Sequence, residues 1–306
     1  RFDQPLASVE VVDPASGVTA GPALATARTS HTASLRPDGA LIVAGGLGLA
    51  ALDGVEALLP DATAWTTLAP LTTPRYRHTA TVLPGGAVLF VGGQTSGAEA
   101  EWLGAPLGGW QTRASLGVIR GSHTATLLRD GTVLVAGGLA GIDLLVASAR
   151  YNPATDSWQA AGAIQDARYG HTATLLGDGS VLITGGAKRG PVLQSVERYD
   201  PAPDAWRLVA AMQSPRRGHT ATLLADGDVL VIGGSDVIAQ RLASPTAGAS
   251  SQSAERYDPV TNAWQNVATP NAPRVEHTAT LLPDGRVLVV GGNGTGLTAV
   301  TAAEVY

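Results

Sequence analysis

Every histidine in the chain sits in the same short pattern, Arg-x-x-His-Thr-Ala, and that pattern occurs six times. The arginines are Arg28, Arg75, Arg120, Arg168, Arg216 and Arg274, and the histidines are His31, His78, His123, His171, His219 and His277. A Gly-Gly pair follows each histidine at the same distance, at Gly45-Gly46, Gly92-Gly93, Gly137-Gly138, Gly185-Gly186, Gly233-Gly234 and Gly291-Gly292. Successive histidines are 47, 45, 48, 48 and 58 residues apart. A period near fifty residues means one supersecondary unit copied around a ring or along a solenoid.

The fourth copy shows what that unit is. His171-Thr172-Ala173-Thr174-Leu175-Leu176 and Val181-Leu182-Ile183-Thr184 are short β-prone runs joined by Asp178-Gly179. Aspartate and glycine tolerate the positive φ of a tight turn, so the two runs form a hairpin. Ser195-Val196-Glu197-Arg198-Tyr199 supplies a third strand, Asp200-Pro201 a turn, and Trp206 opens a fourth strand. Four short antiparallel strands of this kind make a propeller blade with both faces buried against its neighbours.

The chain therefore resembles the kelch-repeat β-propellers of bacterial type. The carriers are the Gly-Gly after the second strand and the Tyr-Asp-Pro…Trp half, seen at Tyr199-Asp200-Pro201…Trp206 and Tyr257-Asp258-Pro259…Trp264. Tyr151-Asn152-Pro153…Trp158 is close, whereas Leu59-Pro60…Trp65 and Trp102-Leu103-Gly104…Trp110 are degenerate. The expected fold is all-β: one six-bladed propeller over residues 1–306, four antiparallel strands per blade, its ring closed by terminal strands. Approximate repeats are 28–74, 75–119, 120–167, 168–215, 216–273 and 274–306, with N-terminal outer strands at 8–24. Closure is expected by pairing N-terminal outer strands with C-terminal inner ones. One third-strand segment is then surplus, because Ser8 to Pro14 and Ala302 to Tyr306 both look like it. The chain reads as a fragment or an excised domain.

Composition narrows the partners. The net charge is −5 with no basic run, which argues against nucleic acid. There is no cysteine, so neither disulfides nor thiolate chemistry are available. The longest apolar run, Leu41 to Leu52, is too short for a membrane span. A monomer is expected. Lys188 is the only lysine among 20 basic residues, a usage that fits a GC-rich bacterium. The compartment stays open, with extracellular or periplasmic the leaning, since similar kelch proteins are often exported.

The six copies serve as controls for one another: positions kept in all of them serve the blade. The histidines read as scaffold, hydrogen-bonded to a neighbouring strand or turn. A metal ring is disfavoured because strands around a propeller axis stand too far apart for several imidazoles to reach one ion. No metal and no cofactor are expected. The arginines carry two readings. They either ring a channel mouth and hold anions, or pair with the recurring acids Glu10, Glu56, Glu101, Glu197, Glu255 and Glu304. Ala149 replaces that acid in the third copy, which makes Arg120 or Arg168 the better ligand candidate.

Variation concentrates between Arg and His and in the loops after Gly-Gly, and both loop sets should emerge on one face. Binding residues favour loops held by a rigid scaffold. The candidate ligand-binding residues are thus Arg75, Arg120, Arg168, Arg216 and Arg274, with Tyr76, Arg77, Tyr169, Arg217 and Glu276. The fifth loop, through Asp236, Gln240 and Arg241, is the longest.

Kelch resemblance implies a non-catalytic interaction module that reads a protein or peptide segment, or a small anionic ligand. Oxidases of the galactose oxidase type need a cysteine crosslinked to tyrosine, which this chain lacks. Resemblance to sialic acid mutarotases implies an alternative, an isomerase-like enzyme on an anionic sugar or carboxylate, with Glu276 the one catalytic candidate. A second alternative is an engineered or excised scaffold without activity of its own.

Overall fold

The computed structural model describes residues 4–95, 98–105, 107–237, 251–295 and 298–306. Every element among them is a β-strand. An N-terminal hairpin, β1 (Val9–Asp13) and β2 (Gly17–Gly21), precedes the repeats. The first blade is β3 (Thr32–Leu35), β4 (Leu41–Ala44), β5 (Val55–Leu58) and β6 (Thr66–Leu68). The second is β7 (Thr79–Val82), β8 (Val88–Val91), β9 (Ala100–Leu103) and β10 (Trp110–Arg113).

The third blade begins with β11 (Thr124–Leu127) and β12 (Val133–Ala136). A small ribbon, β13 (Leu139–Ala140) with β14 (Asp143–Leu144), interrupts it before β15 (Ser148–Asn152) and β16 (Ser157–Ala161). The fourth blade is β17 (Thr172–Leu175), β18 (Val181–Thr184), β19 (Val196–Asp200) and β20 (Ala205–Val209). The fifth is β21 (Thr220–Leu223), β22 (Val229–Ile232), β23 (Ala254–Asp258) and β24 (Ala263–Val267), and the sixth is β25 (Thr278–Leu281), β26 (Val287–Val290) and β27 (Ala303–Val305). These six sheets make the chain a six-bladed β-propeller, with five blades of four strands and a sixth of three among the described residues.

The expected pairing of N-terminal outer strands with C-terminal inner ones is not made among the described residues, and the third place in the sixth blade goes to the C-terminal segment instead. Val289 lies opposite Glu304 and Val290 opposite Ala303. β1 pairs only with β2 among the described residues. The surplus outer segment is therefore the N-terminal one.

The chain divides into two compact units, residues 1–143 with 149–160, and residues 144–148 with 161–306. In the first, inner strand β3 packs beside β7 and β7 beside β11; in the second, β17 beside β21 and β21 beside β25. Blade-to-blade cores follow from the strand sequences. β18 and β22 are buried along their whole length, and both read as unbroken apolar runs rather than alternating ones. Leu176, Leu182, Val196 and Met212 pack against Val229, Val231 and Tyr257. Ile42 and Val55 pack likewise against Val88 and Phe90. Each fully buried side chain of this size contributes about 1.5–3 kcal/mol.

The outer strands are tied by polar clasps. The Tyr151 hydroxyl donates to Asp156 at 2.7 Å and Tyr257 to Asn262 at 2.9 Å. Indole N–H groups of Trp65, Trp158 and Trp264 donate to the Pro22, Ala114 and Ala210 carbonyls of the preceding outer segment. The hairpin turns carry a second function that their Asp-Gly signature hid. Asp130, Asp178 and Asp226 each hold a third-strand arginine, Arg150, Arg198 and Arg256.

The Gly-Gly pairs lock one blade to the next. Gly45 has φ +60°, and a Cβ there would sit 2.5 Å from the Arg75 carbonyl and 2.8 Å from His78 Cε1. The next amide, Gly46 N–H, donates to that same carbonyl at 2.8 Å. Only glycine allows this approach at this dihedral.

Candidate functional site

The constant arginines lie inside the blades. Arg75, Arg168, Arg216 and Arg274 have no exposed surface, and Arg120 has 1%. Each donates through Nη1 to the first carbonyl of its own Gly-Gly pair, Arg75 to Gly92, Arg120 to Gly137, Arg168 to Gly185, Arg216 to Gly233 and Arg274 to Gly291. Nη2 meets the third-strand acid: Arg28 with Glu56 at 2.6 Å, Arg168 with Glu197 at 2.7 Å, Arg274 with Glu304 at 2.5 Å, and likewise Arg75 with Glu101 and Arg216 with Glu255. The other carboxylate oxygen accepts backbone amides of the incoming turn, as Glu255 does from Gln213. A guanidinium so enclosed presents nothing to a ligand unless the blade opens.

Two consequences correct the sequence reading. Each arginine pairs within its own blade, so Arg168 has its acid and is no better a ligand candidate than the rest. The blade with Ala149 in the acid's place is that of Arg120, where desolvation draws the guanidinium pKa down to about 10. Burial lowers Arg75 and Arg168 as well, but there the neighbouring glutamate opposes the shift.

The histidines bridge adjacent inner strands. His78 Nε2 lies 3.0 Å from Thr32 Oγ1, His123 Nε2 3.0 Å from Thr79 Oγ1, His219 Nε2 3.1 Å from Thr172 Oγ1 and His277 Nε2 2.9 Å from Thr220 Oγ1. Desolvation first, and the neighbouring arginine second, push His78 down to about 3 and His277 to about 4. His219 falls well below the ordinary imidazole value for the same reasons. These rings are neutral at physiological pH and occupied by the scaffold.

The variable residues behave differently. The first residue of each Arg-x-x-His pair bridges to the residue after Gly-Gly: Tyr76 with Gln94, Tyr169 with Ala187, Arg217 with Ser235 and Val275 with Asn293. Both variable loop sets thus meet at one edge of each inner hairpin, as strand alternation predicts. The second residue is left-handed in all six copies, with φ 53° at Ser30, 55° at Arg77, 53° at Ser122, 63° at Gly170, 61° at Gly218 and 58° at Glu276. Backbone hydrogen bonds string them together. Within the first unit Arg77 N–H donates to Ser30 and Ser122 N–H to Arg77, both at 3.0 Å. Within the second, Gly218 N–H donates to Gly170 at 3.1 Å and Glu276 N–H to Gly218 at 2.7 Å.

In the first unit Arg77 is exposed and Tyr76 half-buried; in the second Glu276 is exposed, with Tyr169 and Arg217 half-buried. Arg217 Nε reaches the Val237 carbonyl at 3.4 Å, at the start of the long fifth loop. Asp236 is exposed beside it, whereas Gln240 and Arg241 lie outside the described residues. Sequence reading passed over Lys188, which holds Asp166 at 2.5 Å while Ser195 donates to the same carboxylate at 2.7 Å. Those contacts, Lys188 foremost, hold the Asp166 carboxyl below its usual range. No pattern in the repeat marks this group, because Lys188 and Asp166 occur in a single copy. Among the described residues no group of three or more His, Asp or Glu side chains is placed to hold a metal ion.

Inner histidine hairpins, Gly-Gly locks and Tyr/Trp outer strands together define a six-bladed propeller of kelch type. The family model described as Attractin/LZTR1 beta-propeller matches residues 120–297, and the chain belongs to that family. It is also similar to the solved structure titled "Structure of YjhT", with a TM-score of 0.69 and 18% identity over 90% of this chain and 93% of that one. At that identity the likeness speaks for the fold alone. Among curated proteins none matches the chain.

Proposed function

We propose that the chain is a binding propeller whose loop edges, Tyr76-Arg77 in the first unit and Tyr169, Arg217 and Glu276 in the second, each take up a protein or peptide segment bearing acidic groups. One observation carries this reading. The left-handed position is identical in backbone across all six copies, yet holds Ser, Arg, Ser, Gly, Gly and Glu. Glycine is the cheapest residue there, and a non-glycine residue costs about 1–2 kcal/mol. Arg77 and Glu276 stand there despite that cost, exposed, and their side chains make no hydrogen bond within the blade among the described residues. Arginine and tyrosine on a rigid edge suit carboxylate recognition with apolar backing.

The test is a thermal-shift screen of acidic peptides, anionic sugars and simple carboxylates, since a ligand of the folded form raises its melting point. Stabilisation by acidic peptides, lost in Arg77→Ala and Arg217→Ala, supports the proposal. Stabilisation by an anionic sugar, with interconversion of its anomers abolished in Glu276→Gln, supports the isomerase-like alternative instead. No response from any of these classes defeats both.

A further inference from the structure

Arg36 breaks the repeat at a place that the other blades give to leucine. That residue closes the turn of the inner hairpin. Leu83 N–H donates to Ala87 and its carbonyl accepts from Gly86, and Leu176 makes the same two bonds with Ser180 and Gly179. Arg36 makes them with Ala40 and Gly39. Leu83, Leu128 and Leu176 are buried there, and Arg36 is buried to the same degree, at 3% exposure. A guanidinium thus occupies the position of a core leucine.

Its hydrogen bonding is incomplete. Nη2 lies 3.1 Å from Asp38 Oδ2 in the first blade's own turn, while Nε and Nη1, both enclosed, have no hydrogen-bond partner among the described residues. The head group reaches the turn of the second blade, where a Cβ on Gly86 would stand 3.7 Å from Nη2 and 3.6 Å from Pro37 Cδ. That turn differs from its counterparts. In the third, fourth and fifth blades the turn supplies a carboxylate, Asp130, Asp178 or Asp226, to a third-strand arginine. In the second blade Gly85 stands where Asp178 does. Trp102, opposite Leu89, holds the place that Arg198 has opposite Leu182. A Cβ on Gly85 would meet nothing within 4 Å. The second turn therefore has a guanidinium beside it and no acid of its own.

We propose that the second blade's turn is a binding site for a small monocarboxylate, held by Arg36 beside Gly85 and Gly86. A guanidinium has donors and no acceptor, so only an acceptor can complete its hydrogen bonding. Leaving buried donors unmade is costly. A carboxylate oxygen makes the stronger, charge-assisted bond, and a carboxylate is what the other turns give their arginines. The ligand is small because the donors are enclosed and entry requires the turn to give. Two consecutive glycines, with φ +89° and +85°, are the segment beside Arg36 with most freedom to do so. This site lies at the turn end of the inner hairpins, away from the loop edges, and it stands or falls independently of the acidic-segment reading.

Acetate is the probe, with sodium chloride at matched ionic strength as the control. Arg36→Leu gives the first blade the residue its counterparts carry, so the variant should fold, with a urea midpoint in chloride no lower than that of the unchanged chain. Acetate at ten times its dissociation constant should raise the folding equilibrium constant of the unchanged chain about tenfold, and leave that of Arg36→Leu where it was. Nitrogen-15 NMR reads binding directly. The Arg36 Nε–H resonance, identified by its loss in the variant, should shift with acetate and saturate, and a capped tripeptide bearing one aspartate should leave it unmoved. Equal stabilisation of Arg36→Leu by acetate overturns the proposal, as does a resonance that stays in place. A lower midpoint for Arg36→Leu in chloride also overturns it, because the guanidinium would then be satisfied already. Phosphate as effective as acetate, or the tripeptide binding as tightly, defeats the assignment to a small monocarboxylate.

Discussion

Arg216 and Arg217 are consecutive, share one chemistry and do opposite things. The first is wholly buried, bonded to Gly233 and paired with Glu255; the second turns out beside Ser235 on the loop face. The same split runs from Arg75 to Arg77. What separates them is the entry into the inner strand: one side chain points between blades, and the next ones leave the blade where the backbone turns left-handed. Burial ties the first set to partners inside the blade and closes it to ligands, while the second set, exposed at Arg77 and half-buried at Arg217, should be dispensable to folding.

Acid should break the buried side of that comparison most severely. The folded values of His78 and His277, about 3 and about 4, lie below the 6.5 of an unfolded histidine, so the unfolded chain binds more protons between these limits. Stability is complete above pH 6.5 and falls as pH drops through 6 toward 4. Every tenfold loss of proton affinity on folding is worth about 1.4 kcal/mol, so the buried histidines together should forfeit on the order of 5 kcal/mol or more by pH 4. Urea midpoints measured against pH should show this, and His78→Gln with His277→Gln should flatten the curve.

Removing one partner of a buried pair comes next. Glu255→Ala should cost about 3–5 kcal/mol in denaturant unfolding, because Arg216 keeps its charge without its acid. Gly45→Ala should cost about 2–4 kcal/mol, combining the left-handed penalty with the close approach to Arg75 and His78. Arg77→Gly moves the other way, with a gain near 1 kcal/mol in stability as the strained dihedral is relieved, and loss of peptide-induced stabilisation. Arg217→Ala should change the melting transition by no more than about 0.5 kcal/mol while weakening binding. A large loss of stability from Arg217→Ala would erase the distinction between the two sets.

Much of this protein was legible before any coordinates. The period, the Gly-Gly spacing and the Tyr-Asp-Pro…Trp half gave the blade, because strand alternation and turn chemistry are local and repeat in every copy. Histidine as scaffold was also readable, since a residue kept in all copies serves what all copies share. Within the repeated arginines the reading stalled. Constancy says that Arg216 matters, but not whether its charge faces a channel or a glutamate thirty-nine residues on.

That choice belongs to tertiary structure. Register sets Glu255 opposite Val231 and brings the guanidinium across the sheet, so pairing depends on contacts that no local pattern records. The left-handed dihedral shared by Ser30, Arg77 and Glu276 was hidden for a related reason, because side chains so unlike one another cannot betray a common backbone. Sequence alone determined which element is copied and which residues vary. Only the packed sheets decided which charges are enclosed and which are offered, because burial and pairing arise between strands distant along the chain.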